Sequence, residues 1–148
     1  MARILFACIF LLIVACSCIT ATLQDLPSLI ERAMKEKEPN WQLYRTESTP
    51  RSTIYMWKLG EDVVQVEIFV TASEQAASDA FSKIALRFNV PPKERPKDLG
   101  DEALIFQSER FTSGSILFRK GSVFIKIGGS PMVDMKRFAT HFAELISK

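Results

Sequence analysis

The chain has 148 residues, with 19 Lys and Arg against 17 Asp and Glu, for a formal net charge of +2. That balance leaves no basic excess of the kind a nucleic-acid partner requires. All three Cys lie ahead of residue 22, so the rest of the chain has one His and no Cys, too few for an ordinary His/Cys metal site, and a His-dependent nucleophile would have to use His141. The length suits one domain.

The N-terminus, Met1-Ala2-Arg3, is followed by an apolar run from Ile4 to Ala15. One early positive charge ahead of about a dozen apolar residues is the pattern of an export signal. Residues 1–21 are therefore read as that signal, with a cut after Ala21 in the soluble-export reading, and 22–148 as a single domain. No charge interrupts Ile4 to Leu23, so a retained helical anchor is the third alternative, although Cys16, Ser17, Cys18 and Thr20 make its second half small and mildly polar. Ile13-Val14-Ala15-Cys16 resembles the lipobox of bacterial lipoproteins. Ile13 and Val14 depart from that motif's commonest residues. The resemblance implies that Cys16 is lipidated on sulfur and becomes the new N-terminus, so the only membrane contact expected is through such an anchor. Cys8, Cys16 and Cys18 all precede residue 22, so the domain is expected to fold without disulfides on an ordinary hydrophobic core. The two asparagines, Asn40 and Asn89, begin no N-x-[ST] triplet.

Leu26, Leu29, Ile30, Ala33 and Met34 recur at helical spacing, with Pro27 in the first turn and Pro39 closing the segment. A strand is read at "WQLYRTE". Two more flank the Leu59-Gly60-Glu61-Asp62 turn, with Val64, Val66, Ile68 and Val70 on one face and Gln65, Glu67 and Phe69 on the other. "TASEQAASDAFSKIALRF" is a helix whose capping box would run from Thr71 to Glu74 and whose stripe is Ala77, Ala80, Phe81, Ile84 and Phe88. "NVPPKERPKD" is read as a surface loop. "DEALIFQSERF" and "SILFRK" are strands, and "SVFIKI" returns after Gly121 with Val123, Ile125 and Ile127 on one face. A last helix has Ser130 as its N-cap and Pro131 at its first position.

The order is α-(β)ββ-α-βββ-α, an α+β domain with an antiparallel sheet of about five to six strands and helices packed on it. The halves align at an offset of 61 residues, Gly60 with Gly121 and Phe81 with Phe142. This fits either a duplicated hairpin-helix unit or two similar blocks.

No catalytic, phosphate-binding or metal motif is present, and no cofactor is implied. His141 reads as a boundary residue of a packing helix, and "IGGSP" as a strand-to-helix turn. Asp101 and Glu102, adjacent at the start of a strand, would point to opposite faces. A Leu-Gly-Asp-Glu-Ala segment at Leu99 to Ala103, with Ala77 to Phe81 before it and Phe118 to Gly121 after it, resembles parts of small exported bacterial proteins of unknown function. The resemblance implies an exported bacterial domain and carries no catalytic residue with it. The candidate binding surface is the sheet face bearing Glu67, Phe69, Phe124 and Lys126, joined by Leu117 and Arg119, where rings and opposite charges could meet an unidentified protein or small ligand. Cross-strand pairing, or cover by the first helix, is the structural alternative for the same residues. The functional expectation is a non-catalytic exported binding or accessory module of the bacterial envelope. The alternative is a carboxylate-dependent envelope hydrolase using Asp101, Glu102 or Glu67.

Overall fold

A computed structural model describes residues 26–107, 114–130 and 132–146. The export signal, Cys16 and Pro131 lie outside the described residues. In chain order the elements are α1 (Leu26–Lys37), β1 (Gln42–Ser48), β2 (Ser52–Leu59), β3 (Asp62–Val70), α2 (Glu74–Leu86), β4 (Glu102–Gln107), β5 (Gly114–Lys120), β6 (Val123–Ser130) and α3 (Met132–Ile146). The strands form one six-stranded antiparallel sheet in the order β1-β2-β3-β6-β5-β4. It is the α+β architecture expected from the periodicities. Two three-strand meanders meet at the β3–β6 ladder.

Alternation along each strand divides the side chains between two faces. On the first, Val64, Val66, Ile68, Ile116, Phe118, Ile125 and Ile127 form one buried cluster with Ile30 and Met34 of α1 and Met135, Phe138 and Phe142 of α3. Trp41 stands edge-on to Phe138 at 5.1 Å between ring centres, and Trp57 stacks on Tyr55 at 5.3 Å. On the second face, Leu104, Phe106, Leu117 and Phe124 cluster with Phe81 of α2. Phe88 lies flat on Phe106 at 4.2 Å, and Phe81 meets Phe124 edge-on at 5.9 Å. Full burial of rings of this size stabilises by roughly 2–3 kcal/mol each, so Phe81 and Phe124 anchor α2 to this face.

Three details differ from the sequence reading. The α2 N-cap is Ser73, whose hydroxyl accepts from the Ala76 N–H, while Thr71 Oγ1 lies 2.8 Å from the Ser122 carbonyl and ties the end of β3 to the β5–β6 turn. Ser130 belongs to β6. The proline-rich loop does more than cross the surface. Lys93 N–H donates to the Ile105 carbonyl at 2.7 Å and Ile105 N–H to the Glu94 carbonyl at 3.0 Å, so the loop closes the outer edge of β4, and Leu99 just after it is buried. Charged and proline residues advertise a loop, but backbone pairing leaves no trace in composition.

Candidate functional site

Among the described residues, the second sheet face is only partly covered. α2 packs on β5 and β6, and beyond it Ile54, Met56, Gln65 and Glu67 on β2 and β3 remain partly exposed. Beside them a shallow cleft of about 580 Å³ is lined by Glu61 of the β2–β3 turn, by Asp62, Val63 and Gln65 of β3, and by Ser115, Lys126 and Gly128 on the adjacent strands β5 and β6. Its volume is within the range of small-molecule sites. The lining offers an amide, a hydroxyl and an ammonium group beside two carboxylates.

Two neighbouring glycines separate what the fold needs from what the cleft needs. A Cβ on Gly129 would lie 2.5 Å from the Val63 carbonyl oxygen, and its φ is +157°, so that position is held by backbone packing. A Cβ on Gly128 would meet nothing closer than Ser115 Oγ at 3.8 Å, and its φ is not positive. Glycine within a strand weakens it and often marks a close approach by a ligand or another backbone. Among the described residues, neither torsion nor packing calls for glycine at Gly128, and the position borders the cleft.

The residues expected at a binding surface have separate placements. Glu67 and Lys126 pair on the open half at 3.7 Å, their side chains 18% and 33% exposed, and Glu67 also lies 3.4 Å from Ser52 Oγ. Phe69 is half-buried at the margin of α2, stacked on Phe124 at 5.0 Å. Phe124 itself is 0% exposed beneath Phe81 and is a core ring, so it presents no surface; Leu117 is equally buried. The helix over these rings is α2, not the first helix expected as the alternative cover, because α1 packs on the first face; the sequence nonetheless marks these strands as covered. β3 alternates apolar and polar residues, whereas "ALIF" and "ILF" in β4 and β5 are continuous apolar runs, the pattern of strands buried on both faces.

Arg119 is tied into the fold. Its Nε donates to Glu102 Oε1 at 2.9 Å, and an Nη reaches Asp101 Oδ2 at 3.3 Å and the Gly121 carbonyl at 3.0 Å. Ser78 of α2 donates to the same Glu102 oxygen at 3.0 Å, and Gly121 N–H donates to Asp101 at 2.8 Å. Asp101 and Glu102 thus meet at one guanidinium instead of facing apart, because Asp101 precedes β4 and strand alternation does not govern it. The cluster joins the start of β4, the β5–β6 turn and α2.

His141 has a role that spacing alone could not supply. Its Nε2 lies 3.1 Å from Glu38 Oε1, and Arg137 Nε lies 2.6 Å from the same oxygen. Glu38 is buried at the end of α1, so this pair of contacts from α3 compensates a desolvated carboxylate and fixes one helix against the other. Among the described residues, no three His, Cys, Asp or Glu side chains are grouped to hold a metal ion, and no helix is long and apolar enough to cross a membrane.

No protein-family model matches the chain, and no curated protein or solved structure matches it either.

Proposed function

We propose that this protein is a non-catalytic binding module exported to the bacterial cell envelope, and that it captures its ligand or protein partner on the open half of the second sheet face. The observation that carries the reading is Gly128, a strand glycine that no packing among the described residues requires, at the floor of a cleft rimmed by Gln65, Ser115 and Lys126. Glu67 and Lys126 supply opposite charges beside it, able to orient a polar partner. Phe69 adds a partly exposed ring at the margin.

The test is photocrosslinking in the native host from a photoreactive residue at position 65, compared with one at Glu36 on the exposed side of α1. Adducts specific to position 65, and lost in a Gly128→Val background, support the reading. Identical adducts from both positions, or adducts indifferent to Gly128→Val, contradict it. Localisation is tested by the intact mass of the protein from membrane and soluble fractions. A species starting at Cys16 with acyl mass places the module on the membrane, and one starting near Thr22 frees it. A species retaining residues 1–21 in the cytoplasm overturns export.

A further inference from the structure

The two edges of the sheet are finished differently. The loop at Lys93 and Glu94 closes β4, as described above. β1 has no such cover among the described residues: six of its seven residues are exposed, with Leu43 40% and Tyr44 49% accessible. Thr49 N–H donates to the Ser52 carbonyl, which fixes the alternation along β1. Glu47 and Arg45 lie opposite Ile54 and Met56. In an antiparallel ladder every second residue turns its N–H and C=O away from the neighbour, so Thr46 and Ser48 direct theirs outward.

From this edge we infer that β1 pairs with β1 of a second copy, antiparallel and centred on Thr46. The charge pattern of the strand is self-complementary in that register and in no neighbouring one. With Thr46 opposite Thr46, Arg45 of each copy faces Glu47 of the other on the second sheet face. These two residues already form an ion pair within one strand. They sit in the closely spaced, non-hydrogen-bonded positions, where cross-strand side chains interact most strongly. Sliding the register by two residues sets Arg45 or Glu47 against its own kind. The bulge between Leu43 and Arg45 limits how far the ladder can run. The contact is therefore small, of the size class of weak and transient associations.

The two-fold axis of such a pair is perpendicular to the sheet, so each face continues into the same face of the second copy. The half of the second face left open by α2 lies over β2 and β3, on the β1 side. Pairing through β1 brings the two open halves together into one platform, with a cleft bordering it on the β3, β6 and β5 side of each copy.

The experiment is sedimentation equilibrium of the protein as its host processes it, over a wide concentration range. The wild type should approach twice the monomer mass as concentration rises. Thr46→Pro removes an outward N–H without touching the β2 ladder and should remain monomeric with an unchanged melting temperature. Arg45→Glu and Glu47→Arg should each weaken association at least about tenfold, while the double exchange Arg45→Glu/Glu47→Arg should restore it to within about threefold. Should Thr46→Pro fail to fold, the charge exchange decides alone. A protein that stays monomeric up to about 1 mM, or a dimer indifferent to the charge reversals, overturns the inference.

Discussion

Val66 and Ile127 face one another across the central β3–β6 ladder, and they are 61 positions apart in the chain. The same offset carries the register of one hairpin onto the other: Trp57 opposite Val64 becomes Phe118 opposite Ile125, and Lys58 opposite Val63 becomes Arg119 opposite Phe124. The sheet thus has an approximate two-fold axis at Val66 and Ile127. The outer strands break it: the offset would carry Arg45 opposite Met56 onto Phe106 opposite Leu117, whereas Phe106 faces Ser115. The helices break it more deeply: α2 packs on the second face and α3 on the first. A symmetric molecule would carry a second helix over β2 and β3 on α2's side, and that position is the open surface. The asymmetry that makes room for a ligand is one of helix placement, superimposed on a nearly symmetric sheet.

Phe124→Ala should destabilise the domain by about 3–4 kcal/mol, measured by denaturant unfolding, because a fully buried ring leaves a cavity under Phe81 and beside Phe69. Phe69→Ala removes a half-buried ring and should cost about 1–2 kcal/mol. Since the two rings touch, the double variant should fall short of the sum. A Phe124 variant as stable as the wild type would mean that α2 does not cover this face.

Gly128→Val should leave the melting temperature unchanged or raise it, since valine suits a strand and the added Cβ meets Ser115 Oγ only at ordinary contact distance, 3.8 Å. Gly129→Ala should lower stability by at least about 2 kcal/mol, because its Cβ would press on the Val63 carbonyl. Equal losses at the two positions would remove the distinction on which the cleft argument rests.

How much of this was legible follows from where each signal resides. Helix stripes and turn glycines are local, and α1, α2, α3 and the hairpins at Gly60 and Gly121 agree with the sequence reading; both glycines have positive φ. The face each helix takes is decided by chain crossing. Phe81 and Phe142 occupy equivalent positions in similar helices yet pack on opposite faces. Of the surface expected from alternation, Glu67 and Lys126 lie on the open half, while Phe124 and Arg119 lie under or beside α2. Gln65, Ser115 and Gly128 were missed: Gln65 and Ser115 are ordinary polar residues of strands, and Gly128 is masked by a neighbour that the fold does require.

Arg119→Ala should cost about 1–2 kcal/mol, a modest figure because both carboxylates retain access to water. Arg119→Lys should recover only part of it, since an ammonium cannot reproduce the fork that spans Glu102, Asp101 and the Gly121 carbonyl. Urea unfolding of both variants checks this. Full rescue by lysine would reduce the cluster to simple charge pairing.

Tyr55 gives the protein an alkaline limit. Burial of the phenol, followed by the charge of Glu31 and a hydrogen bond to it, pushes its pKa up to about 12 from an ordinary value of 10.0. The sign follows from proton binding. Between those two values the unfolded chain has lost the Tyr55 proton while the folded protein retains it, so raising the pH favours unfolding. The contribution is fully present below pH 10 and is lost as the pH rises through about 12, for a total on the order of 3 kcal/mol. Stability measured against pH should therefore fall across this window, and Tyr55→Phe should flatten the fall. In a Tyr44→Phe background, phenolate absorbance should report a single late titration in the folded state. A Tyr55 phenolate appearing near pH 10 with the fold intact would show that the α1–β2 contact admits water.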